Sequence, residues 1–255
     1  MKITLQHQAR TYSADLSQPL DISMPLPATG EAGVNCFYAP PFGYAPATDG
    51  GNWVGLVAQG SPVNTFDVRL NPHGNGTHTE CVGHIADTPY SIHTALREFH
   101  FVCQLASIYP QKQPNGDRVI TVAQLAEVVA THTTEAFVLR TLPNDAHKLR
   151  LMHSGSNPPY LEPAALAYLA ACGVSHFLLD LPSVDKEQDE GKVAAHKAFW
   201  QYPEQPRLHA TITELIYVPN HIADGYYLLN LQIPSFPTDA APSKPVLYAL
   251  QPSPA

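Results

Sequence analysis

The chain has 255 residues, enough for one large domain, and its 44% apolar content excludes wholesale disorder. A formal net charge of −8 argues against nucleic acid or an anionic membrane surface as partner, since both select basic faces. No apolar run approaches the roughly 20 residues that span a bilayer, and the N-terminal MKITLQHQARTYSADLS lacks the apolar core of a signal peptide.

Along the chain, KITLQ at the start, NWVGLVA from Asn52 and NTFDVRL from Asn64 read as short strands, separated by Pro and Gly. Ser91 to Arg97 suits a helical turn, and FVCQLASIYP from Phe101 a strand. Thr121 and Gln124 form a capping-box pattern that opens a helix running through Val129. AFVLRTL from Ala136 is then a buried strand. PYLEPAALAYLAACG places Pro163 in the first turn of a helix, Leu166, Leu169 and Ala170 on one face, and Gly173 at the C-terminal cap. HFLLDL from His176 is the next strand, so helices alternate with strands as in βαβ units. TELIYV, YYLLNLQI and PVLYAL return the chain to strands.

The 25 prolines are spread out and imply many fixed loops. No repeat or Gly/Ser-rich linker divides the chain, which predicts a single β-rich α/β domain over residues 1–255 with few helices. Cys36, Cys81, Cys103 and Cys172 form no CxxC pair, the pattern of buried free thiols in a reducing cytoplasm. The acidic run DKEQDEGK from Asp185 reads as a solvated loop.

The densest chemistry lies in NPHGNGTHTECVGH, residues 71–84. If the segment from Gly76 is extended, the period of two puts His78 and Glu80 on one face and Thr77, Thr79 and Cys81 on the other. An imidazole and a carboxylate so paired can share a divalent cation. His84 has the same parity. His73 is out of phase with His78, and a bulge at Gly74-Asn75-Gly76 would restore it. The competing view is a glycine-rich turn that happens to hold histidines.

Gly76-Thr77-His78-x-Glu80-x-x-x-His84 resembles the GTHxDxPxH signature of the metal-dependent cyclase family, which includes bacterial kynurenine formamidases and isatin hydrolases. Asp15-Leu-Ser-Gln-Pro19, Asp180-Leu-Pro-Ser-Val-Asp185, His196-Lys-Ala-Phe, Thr213-Glu214-Leu215 and Pro245-Val-Leu247 resemble further family segments in the same order. The resemblance implies a swivelling β/β/α fold of the cyclase/formamidase type and one or two divalent metals, zinc or manganese. Its implied ligands are His73, His78, Glu80, His196 and Glu214, with His84 as a non-ligand acid/base.

This sequence departs from the pattern at four places. The family's aspartate is Glu80, longer by a methylene, which shifts the carboxylate or the metal by about an ångström. Gly74 stands where the family has its first histidine, with His73 one position earlier. Val82 replaces the proline. The interval from His196 to Glu214 is long and contains His209 as a rival ligand.

The function so implied is a divalent-metal-dependent hydrolase cleaving an amide or cyclic amide of a small-molecule substrate. Water is activated by the metal, and His84 carries its proton to the leaving nitrogen. The alternative is a non-catalytic metal- or ligand-binding protein that retains the fold. A third reading makes the segment a turn at a subunit interface. The resemblance also implies a homo-oligomer, a dimer or tetramer, and the cysteine usage implies a cytoplasmic location. Phe37, Tyr38, Phe42, Tyr44 and Trp53 are candidates to line a pocket for a flat ring, or to pack the core or an interface. His93, His100, His132, His147, His153, His176 and His221 carry no site role.

Overall fold

The computed structural model describes residues 1–28, 30–129 and 134–252. The expectation for His132 lies outside them. Its centre is a nine-stranded mixed sheet. Four strands, His100–Ile108, Ala136–Thr141, His176–Leu179 and Thr211–Glu214, run parallel and side by side. His78–Glu80 joins antiparallel to the last of these, and Ala240–Pro242 joins antiparallel beyond it. On the other flank Gly225–Asn230, Val246–Ala249 and Leu20–Asp21 follow, all antiparallel.

The parallel strands are apolar on both faces because both faces are covered. Phe137, Leu139, Phe177 and Leu179 point into one core, which is shared with helices Val122–Val128, Pro163–Ala171 and Ala194–Trp200. Ala136, Val138 and Leu178 point into the opposite core with Ile22, Phe101, Cys103 and Leu229. Each fully buried Leu or Phe contributes about 1.5–3 kcal/mol of transfer free energy, so the centre of the sheet is the rigid part of the molecule.

The capping box at Thr121 and Gln124 is present in both directions. The helix at 163–171 starts with its proline, buries Leu166, Leu169 and Ala170, and is followed by Gly173 at φ +88°. The four cysteines are free thiols, three of them buried. No helix among the described residues is long and apolar enough to cross a membrane.

Two strand expectations need correction. NWVGLVA contributes only an isolated bridge at Val54 and a 3₁₀ turn at Val57–Gln59. TELIYV is not a strand as a whole: the ladder covers Thr211–Glu214, is broken where Leu215 adopts φ +55°, and is followed only by an isolated bridge from Ile216 to Ser23. A left-handed leucine is a costly conformation. It is held by Leu215 N–H donating to Leu181 O, and by Thr77 Oγ1 donating to Leu215 O. The strand therefore ends at Glu214 by construction.

Candidate metal centre and active site

Strand register creates the site. In the antiparallel pair, Glu214 lies directly opposite His78, and Ile212 opposite Glu80. Alternation works as the sequence predicts: Thr79 turns to Thr213, hydroxyl to hydroxyl at 2.8 Å, and Cys81 enters the apolar core, while His78 and Glu80 share the other face. His78 Nε2 is 3.5 Å from Glu214 Oε2. Glu214 Oε1 accepts the Val184 N–H at 3.0 Å, which fixes the carboxylate.

His73 reaches the site by one turn of helix, Pro72–Asn75, and not by a bulge. The Asn71 side chain caps that turn by accepting the Gly74 N–H, with Pro72 as its first residue. Gly74 is required by space: a Cβ there would lie 2.3 Å from Ala39 Cβ and 3.3 Å from Cys36 O. The turn swings His73 Nδ1 to 3.2 Å from Glu80 Oε2. His84 also arrives without strand parity, because the strand stops at Glu80 and Val82–His84 is a 3₁₀ turn. Its Nδ1 lies 3.7 Å from Glu80 Oε2.

The helix at 194–200 supplies His196, whose Nε2 is 3.0 Å from Glu80 Oε1 and 3.8 Å from Glu214 Oε1. Asp185 holds it in place. Its Oδ2 is 2.6 Å from His196 Nδ1, and its carboxylate accepts the N–H groups of Ala195 and His196 at the start of the helix. The expectation of a solvated loop at 185–192 is thus wrong for its first half. Asp185 is buried, Lys186 pairs with Asp117, Glu187 accepts the Gly155 N–H, and Asp189 accepts the Val193 N–H. These residues wall the site.

The expected site residues His73, His78, Glu80, His84, His196 and Glu214 are therefore brought together. His209 is not among them: it lines a separate groove with Arg97, Glu135 and His176. Sequence reasoning missed Asp239, whose Oδ2 is 2.8 Å from His73 Nε2 and 3.3 Å from His84 Nδ1. It lies in a proline-rich stretch with no motif around it. Of the aromatic candidates, Phe37 lines the site cavity, whereas Tyr44 packs on Phe66 within the strand pair Gly43–Pro46 and Phe66–Arg69, with Phe42 just before it against Tyr44. The cavity has a volume of about 320 Å³, and His73, His84, His196 and Glu214 are on its wall.

The electrostatics favour positive charge here. Burial disfavours the imidazolium of His73, but the Asp239 and Glu80 carboxylates facing its two nitrogens outweigh it and push the pKa up to about 10. For His196, burial is likewise outweighed by Asp185 and Glu80, again up to about 10. Burial raises the Glu80 carboxyl, yet His84, His196 and His73 hold it well below the carboxylate range. The hydrogen bonds of His73 and His84 lower Asp239. The carboxylates that hold protons on His73 and His196 would also attract a cation, which has to displace those protons to bind.

Of the six buried side-chain polar atoms without a hydrogen-bond partner among the described residues, two, His78 Nε2 and Glu80 Oε2, lie in this site. Orphaned buried polar groups cost about 1–3 kcal/mol each, and these two belong to one donor group with His73. His78 Nδ1 is 3.0 Å from Gly76 O, so it is the protonated nitrogen and Nε2 presents its lone pair. Imidazole and carboxylate donors converging in this way fit a zinc- or manganese-class ion.

The sequence model of the Cyclase family matches residues 14–186. No curated protein matches the chain. A solved structure described as a potential metal-dependent hydrolase with cyclase activity has a TM-score of 0.64 at 16% identity, covering 92% of this chain and 99% of its own. Isatin hydrolase A from Ralstonia solanacearum gives 0.65 at 13% identity, with 91% and 92% covered. An isatin hydrolase bound to the product analogue thioisatinate gives 0.56 at 14%, with 92% and 93% covered. At these identities the likeness shows the fold.

Proposed function

The chain belongs to the Cyclase family, and from that premise we propose that it is a divalent-metal-dependent hydrolase that opens an amide or cyclic amide of a small molecule. The observation that carries the reading is the orphaned pair His78 Nε2 and Glu80 Oε2, fully buried within reach of His73. His73, His78 and Glu80 would hold the ion from one side, and His196 and Glu214 from the other. Glu80 lies between them, with Oε1 toward His196 and Oε2 toward His73. That arrangement suits one cation or two, zinc or manganese.

When bound, the cation supplies Lewis acidity for an attacking water and for the carbonyl oxygen. The chain's own residues do the rest. His84, on the cavity wall, takes the proton of the attacking water and returns it to the departing nitrogen. Asp185 keeps His196 in one orientation, and the buried Glu80 carboxylate stays ionised. Phe37 gives the cavity an apolar side against which a ring can rest.

Binding without hydrolysis is the rival account, and the cavity that reaches His84 weighs against it. Purification without chelator, metal analysis, and a screen of N-formyl aromatic amines, isatin-like lactams and other cyclic amides test the reading. Metal far below one equivalent per chain, with no activity recovered on adding zinc or manganese, would sink it. A cytoplasmic location and self-association as a dimer or tetramer are part of the same proposal. The exposed apolar residues Tyr44, Phe66 and Val68 on one hairpin support the second, which size-exclusion chromatography with light scattering checks.

A further inference from the structure

Asp239 stands outside the residues that the motif supplies, yet one of its oxygens meets two of them. Oδ2 is 2.8 Å from His73 Nε2 and 3.3 Å from His84 Nδ1. The two rings lie side by side, with centroids 4.3 Å apart and planes at 33°. Nδ1 of each ring also faces Glu80 Oε2, at 3.2 and 3.7 Å.

We propose that Asp239 is the positioning residue of this site, its single Oδ2 setting the tautomer and orientation of both His73 and His84. The inference rests on the reading of His73 as a ligand and His84 as the proton carrier. An ionised carboxylate only accepts, so both nitrogens facing it carry hydrogen. In the neutral His73 ring that a cation requires, this leaves Nδ1, the nitrogen near Glu80, as the one with the lone pair. For His84 it places hydrogen on Nδ1 and leaves Nε2 as the basic nitrogen. One carboxylate thereby separates the duties of two adjacent imidazoles that would otherwise be interchangeable.

The backbone holds Asp239 firmly enough to do this. Its carbonyl accepts the Cys81 N–H at 3.0 Å, and the next residue, Ala240, is in register with Glu80. On its other side Thr238 O accepts the Ile92 N–H at 2.8 Å, and Thr238 Oγ1 donates to Ala240 O. Gly83 permits the approach: a Cβ there would lie 3.3 Å from Asp239 Cβ and 2.1 Å from Tyr90 O.

A purely structural role, fastening the edge strand 240–242 to 78–80, is the competing account. The test uses the full-length protein loaded with zinc, which is diamagnetic, and long-range ¹H–¹⁵N spectra of its imidazoles. His84→Gln assigns the His84 signals. The wild type shows His84 protonated at Nδ1 alone. Asp239→Asn and Asp239→Ser lose that single tautomer and bind zinc about 10–100-fold more weakly, and Asp239→Glu restores part of both. Variants that keep the His84 tautomer and the zinc affinity, with only a lower melting temperature, overturn the proposal while leaving the metal site standing. A wild type that takes up no zinc removes the proposal together with the reading beneath it.

Discussion

Asp185 offers a sharp separation between holding a helix and orienting a ligand, because its carboxylate does both. It accepts the Ala195 N–H at 2.7 Å and the His196 N–H at 3.2 Å, and it meets His196 Nδ1 at 2.6 Å. Asp185→Asn keeps the shape and a capping oxygen but loses the charge-assisted bond. Hydrogen bonds to charged groups contribute about 1.5–3 kcal/mol, and loss of a carboxylate partner to a metal-binding histidine weakens metal affinity about 10–100-fold. Asp185→Ala also loses the cap, worth about 1 kcal/mol, so its total cost is on the order of 3 kcal/mol. The assay is urea unfolding of the chelator-treated protein together with calorimetric zinc titration. Asp15→Asn is the control. Asp15 accepts the Ser17 N–H and is not on the wall of the site cavity, so its variant leaves zinc affinity within about twofold. If Asp185→Asn unfolds at lower urea but titrates zinc like the wild type, the orienting role is refuted and only the cap remains.

Other outcomes follow from the same geometry. His84→Ala should retain bound metal while amide hydrolysis falls about 10²–10⁴-fold, the usual share of a general acid/base; metal analysis and initial rates on one preparation check both halves. Gly74→Ala forces a Cβ to 2.3 Å from Ala39, and the repacking should cost about 1–3 kcal/mol and weaken zinc binding through His73, as read by urea unfolding and titration. His176 is buried against Phe101, which with the nearby Arg207 pushes its pKa down to about 4. Its folded value is below the unfolded value of about 6.5, so its contribution is present above about pH 6.5 and is lost as pH falls toward 4. Replacing it with Gln should flatten the stability-versus-pH curve in that window by about 3 kcal/mol.

What the sequence revealed depended on how local the cause was. The capping box at Thr121 and the Pro163 helix are decided within a few residues, and both are present. The pairing of His78 with Glu80 follows from strand alternation and was equally legible. His73 was harder, because a bulge and a helical turn both correct its phase. The turn wins because Asn71 caps it and the segment at Cys36–Ala39 packs on Gly74. The end of the strand at Glu214 depends on a left-handed Leu215 secured by Thr77, a residue 138 positions away. Asp185 looked like part of a charged surface run, since nothing nearby announces that His196 will fold back onto it. Asp239 had no local signal: only the pairing of 240–242 with 78–80 brings it to His73 and His84.

The central claim is that the buried histidines and carboxylates form a cation site. Its most direct test is calorimetric titration of chelator-stripped protein with zinc and with manganese, alongside a His78→Ala variant. The account predicts at least one equivalent bound per chain, with proton release as the drawn-up imidazoles of His73 and His196 lose their protons, and a severe loss of binding in the variant. A stripped wild type that binds neither ion, or a His78→Ala protein that binds as well as the wild type, would contradict it.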